Sequence, residues 1–394
     1  MNSFLERAQE LYETMVEDRR YLHMHAEVGC ELPVSSKYIR ERLMQIGLEP
    51  KEICNSGIVA VIGGKKPGKT ILLRADYDAL PMEEQSGLPF RSQTSCAHTC
   101  GHDVHAAMLL GAAQILKEHE DELDGCVKLM FQPGEEVLQG AKKMIEAGVL
   151  EDPKPDAAMA IHTSLDWRPF GIGYGTGHVM ASSDNFEIVI NGIGCHGATP
   201  HMGIDPISTG VHIYQAFMEL IARETPAQER ACLTFGQFSA GESANIIPQR
   251  AVMKGTLRTY STEVRRKLLE RMQEIIEHCG RMYRTEVAMR FIGSVPSLYT
   301  DPALVKELSG YIRELDADAV KTEQYCETAS EDFAYVAEQI PTAFFVLGCR
   351  PRGEAFSHHH PKVVFDEAAM PYGAAVHAQC AVEWLKKNRQ NMIE

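Results

Sequence analysis

The sequence lacks the features that mark secreted, membrane-bound and nucleic-acid-binding proteins. Residues 1–25 alternate apolar and charged positions at helical spacing, without the uninterrupted apolar core of about 7 to 15 residues that a signal peptide requires. The net charge of −15 is spread along the chain, with no basic stripe and no acidic tail. Nucleic acid and membranes are therefore not expected as partners, and a small molecule is.

Paired cysteine spacing is also absent. Eleven cysteines, an odd number, are scattered over 394 residues, which favours a reduced, cytoplasmic protein over a disulfide-bonded one. We interpret most of them, including Cys30, Cys54 and Cys232, as small buried apolar residues. The sequence contains no internal repeat, low-complexity tract or long linker.

The apolar pattern predicts alternating strands and helices. Hydrophobic residues make up 44% of the chain, enough for the cores of two domains. Short apolar runs that end in polar or turn residues are typical of buried strands, and they occupy residues 57–64, 70–81, 126–136, 156–164 and 342–349. Helical patterns lie between them at 36–47 and 104–118, the second with Asp103 as its N-cap. This order predicts an α/β domain with a mixed sheet.

The middle of the chain follows a different order. Residues 184–293 have the pattern β-α-β-β-α-β, which is the ferredoxin-like, or split βαβ, arrangement. We predict that they form a second domain inserted into the first. Residues 1–183 and 294–394 then form the two parts of the first domain.

Side chains of the types that bind metals lie at or just beyond the ends of the apolar stretches in four of the predicted strands. They are Asp76 and Asp78, Glu135 and Glu136, His162, and the histidines at 358–360. In open α/β sheets, ligands bind beyond the carboxyl ends of the strands. Cys100 and His102 lie two residues apart at the start of a helix, where both can point at one position.

These donors exceed what a structural zinc site uses. Such a site has four ligands, whereas a thiolate, three imidazoles and one carboxylate make five, and the second glutamate of the pair is left over. Two metal ions could share the set and activate a water, while the spare carboxylate takes its proton. Singly, a strand-end histidine is more often a hydrogen-bonded core residue, and a glutamate pair is more often a solvated helix start. The convergence of four strand ends favours a metal-dependent hydrolase.

Seven blocks of the sequence resemble, in order, the motifs of the M20 metallopeptidase family, in its amidohydrolase branch of aminoacylases, hippurate hydrolases and auxin-conjugate hydrolases. The blocks are LLRADYDALP, HTCGHDVHAAMLLGAA, FQPGEE, ASSDNFEIVINGIGCHGATPH, ANIIPQRAVMKGTLR, ASEDF and HHHPKVVFDE. They span nearly the whole chain. The resemblance implies a mixed-sheet metallohydrolase domain with an inserted lid that also forms a homodimer.

The resemblance also implies roles for individual residues. Two divalent ions per subunit, Zn²⁺ or Mn²⁺, with Co²⁺ and Ni²⁺ accepted by the same ligand types, would be held by Cys100, His102, Glu136, His162 and His359. His358 is the alternative to His359, which the family spacing H-x-P favours. Glu135 would be the catalytic base. Asp78 resembles an aspartate that orients a metal-bound histidine, and Asp76 stands where other members of the superfamily have histidine.

Three residues of the inserted domain resemble substrate-binding residues. His196 would reach across the dimer to the scissile carbonyl. Asn245 and Arg258 would hold the substrate's carbonyl and carboxylate, and the planar guanidinium of arginine binds a carboxylate through two hydrogen bonds.

The expected function is metal-dependent hydrolysis of the amide bond in an N-acyl amino acid or a small dipeptide. Two alternatives are a thiol hydrolase that uses Cys100 with a nearby histidine, and a non-catalytic binding protein on the same fold. Sensitivity to chelators separates the first alternative from a metal enzyme. The complete donor set with Glu135 argues against the second.

Overall fold

The computed structural model describes the backbone of residues 4–393 and the side chains of residues 4–389. In this part of the chain the α-helices are α1 (Phe4–Glu10), α2 (Tyr12–Met24), α3 (Pro33–Gln45), α4 (His102–Glu118), α5 (Gly140–Glu146), α6 (Pro206–Glu219), α7 (Thr262–Tyr283), α8 (Pro302–Leu315), α9 (Ala334–Ala337) and α10 (Met370–Ile393). The strands are β1 (Lys51–Cys54), β2 (Gly57–Gly63), β3 (Lys69–Asp76), β4 (Gly125–Gln132), β5 (Ala157–Ser164), β6 (Ile172–Tyr174), β7 (Gly177–Met180), β8 (Ser183–Asn191), β9 (Cys195–His196), β10 (Ala231–Ala240), β11 (Ile246–Ile247), β12 (Arg250–Thr259), β13 (Glu286–Val295), β14 (Leu298–Thr300), β15 (Val320–Thr322) and β16 (Thr342–Gly348).

The chain divides into two compact units. The first runs through Gly177 and includes Tyr299–Cys326 and the residues from Tyr335 onward. The second consists of His178–Leu298 and Glu327–Ala334. The second unit lies in the sequence between β5 and β16, and these two strands pair with each other in the first unit.

The first unit is built around an eight-stranded mixed sheet. Its strand order is β1-β2-β4-β3-β5-β16-β6-β15. The four neighbours β4, β3, β5 and β16 are parallel, so their carboxyl ends meet at one edge. β3 and β4 end level with each other, since Asp76 pairs with Gln132, and Gly348 of β16 pairs with Ser164 of β5. The predicted mixed α/β fold is confirmed, and every predicted strand of this unit is found, although β3 and β4 stop several residues before the predicted ends.

Helix α4 lies in the core of the first unit, where it contacts α2, α10 and β3. It begins at His102, with Gly101 at the N-cap, so the prediction of Asp103 as the N-cap is wrong. Asp103 is instead fully buried inside the helix, where its carboxylate accepts hydrogen bonds from Arg19 Nε at 2.6 Å and His23 Nδ1 at 2.8 Å. The buried Asp103 carboxylate is therefore paired with Arg19 of α2. The sequence around Asp103 does not reveal this partner, because Arg19 lies far away in the chain.

Gly101 is required where α4 begins. Its φ is 88°, in the left-handed region, and a Cβ at this position would lie 2.6 Å from Thr163 Oγ1. A larger residue would be strained by both the backbone angle and the contact. The turn that carries Cys100 is thus held tightly against β5.

The second unit has an antiparallel sheet with the order β10-β12-β8-β13. Helices α6 and α7 contact each other and this sheet, and together they enclose a separate apolar core that includes Phe186, Met253 and Ile276. The elements follow the order β8-α6-β10-β12-α7-β13. Helix α6 ends at Glu219, and a π-helical turn, Leu220–Glu224, directly follows it.

The N-terminal segment, in which apolar and charged residues alternate at helical spacing, forms the two helices α1 and α2. Met15, Arg19 and Leu22 are buried, because α2 packs against α4. Within the described residues, every helix is too short or too polar to cross a membrane.

The cysteines are less buried than predicted. Cys30 and Cys54 are only partly buried and Cys232 is exposed, whereas Cys349 and Cys380 are buried. Cys30 lies in a loop, Cys54 ends the sheet-edge strand β1, and Cys232 lies on the edge strand β10. Residues in loops and on edge strands are less buried than residues in central strands, and the cysteine content of the sequence does not reveal which positions these are.

Candidate metal centre

The carboxyl edge of the parallel strands brings six predicted site residues together in the first unit. Donor atoms of Cys100, His102 and His162 lie within 4.8 Å of one another, as do those of Cys100, Glu136 and His359 and those of His102, Glu135 and Glu136. The three groups share members and so form one cluster. The set consists of Cys100, His102, Glu135, Glu136, His162 and His359.

Individual distances within the cluster are short. Cys100 Sγ lies 3.6 Å from His162 Nε2. Glu136 Oε1 lies 3.4 Å from His359 Nε2 and 3.8 Å from His102 Nε2. One carboxylate oxygen thus faces two imidazoles, an arrangement that a bound cation would satisfy.

Hydrogen bonds to the backbone orient two of the imidazoles. Nδ1 of His102 donates to the Asp78 carbonyl oxygen at 2.9 Å, and Nδ1 of His162 donates to the Thr163 carbonyl oxygen at 2.8 Å. Each ring therefore turns its Nε2 toward the cluster, as metal-binding histidines do. Among the described residues, His102 Nε2 and Glu136 Oε1 are buried without a hydrogen-bond partner. Buried polar atoms are rarely left unpaired, so the donor set fits a metal.

Asp78 fixes the turn that holds both glutamates. Its Oδ1 accepts the Glu135 backbone N–H at 3.0 Å and its Oδ2 accepts that of Glu136 at 3.1 Å. Oδ1 also lies 3.4 Å from His102 Nδ1. One buried carboxylate therefore positions Glu135, Glu136 and His102 together.

Mutual charge interactions shift the pKa values of the donors. Burial and the Glu136 carboxylate raise the pKa of the Cys100 thiol, but the imidazoles of His102 and His162 outweigh them and bring it to about 6. Interactions with the Cys100 sulfur and the Glu136 carboxylate raise the pKa of His359 to about 10. A metal ion would replace the imidazolium proton as the partner of the thiolate, so metal binding should weaken as the pH falls.

His359 and His358 have different surroundings. The backbone N–H of His359 donates to Thr99 O at 2.9 Å, and its φ of 62° turns its ring toward Glu136. The His358 ring contacts the ring of His162, with centroids 5.7 Å apart, and that of Phe365, with centroids 5.6 Å apart. Burial lowers the pKa of His358 to about 3. These positions favour His359 over His358 as the ligand.

A buried polar network behind the cluster was not predicted. His105 Nδ1 donates to Asp76 Oδ1 at 2.5 Å, and His105 Nε2 accepts the Thr163 N–H at 2.8 Å. Asp76 Oδ2 pairs with Arg74 Nη1 at 2.9 Å. Asp76 is thus tied to a guanidinium and holds His105 against the strand that carries His162. The signal in the sequence was the spacing of His105, one helical turn after His102.

The three predicted substrate-binding residues lie in the second unit. His196 on β9 pairs with Ile246 on β11, and the Gly197 N–H donates to Asn245 O at 2.7 Å, so His196 and Asn245 belong to adjoining, exposed segments. His196 Nδ1 accepts the Ala198 N–H at 3.0 Å. Nε2 is therefore the ring nitrogen left to donate a hydrogen bond. Arg258 lies on β12, and burial lowers its pKa.

Comparisons with known proteins give a consistent result. The family model for peptidase family M20/M25/M40 matches residues 72–383. N-acetyl-L-cysteine deacetylase of Bacillus subtilis is 35% identical over 379 residues, which cover 95% of this chain and 89% of the relative. IAA-amino acid hydrolase ILR1-like 2 of Arabidopsis thaliana is 35% identical over 391 residues, covering 97% of this chain and 87% of the relative.

A solved structure of an M20 family protein is also similar to this chain. The Bacillus subtilis YXEP protein, described as a dinuclear metal binding peptidase from the M20 family, has a TM-score of 0.81 and 32% sequence identity. The match covers 96% of this chain and 99% of that protein. The chain therefore belongs to peptidase family M20/M25/M40. It is an enzyme, a metal-dependent amidohydrolase.

Cys100→Ala should lower the metal content, because it removes a thiolate that faces four other donors. Elemental analysis of the purified protein provides the measurement. Cys96→Ala is the matched control, since Cys96 lies four residues earlier and outside the donor groups found among the described residues. An unaltered metal content in Cys100→Ala would refute the ligand assignment.

Proposed function

We propose that the enzyme cleaves the amide bond of a linear N-acyl amino acid or small dipeptide, releasing a carboxylic acid and an amine. The cluster of five metal-type donors with Glu135 beside it carries this proposal. Two relatives support the substrate class, since their names specify N-acetylcysteine and conjugates of amino acids. Hydrolysis adds the hydroxyl of water to the acyl carbon and a proton to the leaving nitrogen.

We assign Cys100, His102, Glu136, His162 and His359 as ligands of two divalent ions. A thiolate, imidazoles and a carboxylate suit Zn²⁺, and the imidazoles and carboxylate also accept Mn²⁺, Co²⁺ or Ni²⁺. The M20 structure described as dinuclear supports the number of ions. Bound ions at such a site polarise a carbonyl group and lower the pKa of water.

Glu135 acts as the general base and then as the general acid. The residue is 6% exposed, and its backbone is fixed by Asp78, so its carboxylate is held close to the proposed ligand Glu136. It accepts the proton of the attacking water and delivers it to the amine nitrogen as the amide bond breaks. Asp78 positions Glu135 and has no direct contact with the substrate in this mechanism.

His196, Asn245 and Arg258 bind the substrate in our proposal. The Nε2–H of neutral His196 is available as a hydrogen-bond donor to the scissile carbonyl, since Nδ1 already accepts the Ala198 N–H. Asn245 is on the adjoining segment. Arg258 supplies a guanidinium for the free carboxylate of the amino acid.

We further propose that residues 184–293 form a ferredoxin-like lid and dimerisation domain, with residues 1–183 and 294–394 as the catalytic domain. The β-α-β-β-α-β order and the sheet order β10-β12-β8-β13 support the first part. For dimerisation, β10 is an edge strand of ten residues, and Phe238 on it is 41% exposed. Ile207, Val211 and Tyr214 form an exposed apolar stripe on α6. A second copy of the chain would cover both surfaces.

We also propose a cytoplasmic location, which the eleven free cysteines support.

Removal and return of the metal tests this function. Activity in a screen of N-acetyl, N-benzoyl, N-indoleacetyl and aminoacyl conjugates should disappear in EDTA or phenanthroline and return with Zn²⁺ or Mn²⁺, because the proposed reaction needs bound ions. A thiol hydrolase would keep its activity in the chelator. Full activity after verified metal removal would therefore refute the proposal.

A further inference from the structure

A cavity of about 750 Å³ lies in the first unit, behind the turn that carries the two glutamates. Two thiols and a lysine, Cys30, Cys54 and Lys143, help to line it, and we name it the thiol pocket. Its lining also includes Glu31 and Glu146. The pocket thus combines two thiols with fixed charges of both signs, and none of these side chains has a part in the hydrolytic mechanism.

Hydrogen bonds hold the two cysteine-bearing segments together. The Leu32 N–H donates to Ser56 Oγ at 2.8 Å, and Asn55 Nδ2 donates to Glu31 Oε1 at 3.1 Å. These bonds join the residues that directly follow Cys30 to those that directly follow Cys54. Both thiols therefore belong to one fixed wall of the pocket.

The same wall contacts the catalytic turn. Gly134 has a φ of 69°, and a Cβ at this position would collide with Sγ of Cys30. Gly134 directly precedes Glu135, and its carbonyl oxygen accepts the N–H groups of Gln139 at 3.2 Å and Gly140 at 3.0 Å. Pro133, Val137 and Gln139 of this turn also line the cavity, so a group attached to the Cys30 sulfur shares the cavity with the turn.

A second connection leads to the residue that positions the glutamates. The Ala79 N–H donates to Glu27 O at 2.8 Å, and Val28 and Ala79 form a parallel bridge. Ala79 follows Asp78, whose carboxylate holds the backbone of Glu135. The segment 27–31 thus supports both ends of the hydrogen bond between Asp78 and Glu135.

We propose that Cys30 is a site of reversible thiolation by a small amino-acid disulfide such as cystine, and that the attached group slows catalysis by displacing the turn at Gly134. The Cys30 thiolate attacks one sulfur of the disulfide, so the reagent's S–S bond breaks and a protein–reagent S–S bond forms. The other half of the reagent leaves as a thiolate and takes up the proton that Cys30 lost. A free thiol reverses the exchange.

The lining of the pocket explains the choice of residue and reagent. Burial raises the pKa of Cys54, which disfavours it as the attacking thiolate. Lys143 can pair with the carboxylate of an amino-acid disulfide, and Glu31 or Glu146 can pair with its ammonium group. A neutral disulfide lacks these interactions and should react with Cys30 more slowly.

The experiment treats metal-loaded enzyme with cystine and locates the adduct by peptide mass spectrometry. The expected result is one cysteinyl group on Cys30 and a kcat about 10 to 100 times lower, the range expected when a catalytic group moves by up to about 1 Å. Dithiothreitol should restore both the mass and the activity. Bis(2-hydroxyethyl) disulfide, which is uncharged, should modify Cys30 more slowly than cystine does.

Two variants complete the test. Cys30→Ser should have normal basal activity and resist cystine, whereas Cys232→Ser, which removes an exposed thiol of the second unit, should be inhibited like the unaltered enzyme. Equal inhibition of Cys30→Ser would overturn the proposal, as would an unmodified Cys30 or a modified Cys30 with unchanged kcat. The mass measurement needs no substrate, so it is independent of the proposed function.

Discussion

Glu135→Gln is expected to lower kcat by a factor of about 10² to 10⁴, which is the usual contribution of a general acid–base residue. Glutamine has nearly the same shape as glutamate, and the backbone N–H of residue 135 would still bind Asp78. The amide group, however, cannot accept the proton of the attacking water. Steady-state kinetics together with elemental analysis should therefore show a slow enzyme with its metal retained.

Glu136→Gln is the matched control for this variant. Its side chain faces His102 and His359, so the same chemical change one residue later should lower the metal content. The metal contents of the two variants therefore distinguish a catalytic base from a metal ligand at adjacent positions. If Glu135→Gln turned over substrate at a nearly normal rate with its metal bound, Glu135 would not be the base.

His196→Ala homodimers should be almost inactive while they retain their metal, and mixing them with Glu135→Gln homodimers should restore activity. This result is expected if His196 of one subunit completes the active site of the other. A heterodimer then contains one site with both substitutions and one site with neither. Random exchange of equal amounts gives about half heterodimers and about a quarter of the unaltered activity, provided that the sites are independent.

Differently tagged subunits make the heterodimer measurable. Tandem affinity purification isolates it, and its activity per mole should be about half that of the unaltered dimer. If verified heterodimers were no more active than the two homodimers, the model of an active site shared between subunits would be wrong. His196 would then act in its own subunit or stabilise the turn that binds Ala198.

The large sheet could be predicted because its signal is local. Continuous apolar runs in β3, β4, β5 and β16 predict buried parallel strands, and side chains at their ends then share one edge. The apolar pattern therefore predicts that Glu135, Glu136 and His162 lie near one another, and all three belong to the donor cluster. The assignment of Asp103 failed because its partner, Arg19, is distant in sequence.

Other features of the site depend on contacts that no motif encodes. Asp78 binds two backbone N–H groups more than fifty residues away, and a pattern of side chains does not reveal backbone partners. His105 is hard to recognise from the sequence because a histidine inside an apolar helix resembles an ordinary core residue. The exposure of Cys232 depends on its position on the edge strand β10. In each case the missing information was the identity of a spatial neighbour.

The position of β16 has a consequence for synthesis of the protein. β16 lies between β5 and β6 in the sheet, although the whole second unit separates it from them in the chain. During translation, β5 and β6 leave the ribosome long before their common neighbour and expose unpaired strand edges, which favour association with other chains. Cys100, His102, Glu136 and His162 emerge early, but His359 follows β16. The candidate donor set and the sheet are therefore completed at the same late stage. A nascent chain that stops before residue 342 has neither the complete donor set nor the complete sheet.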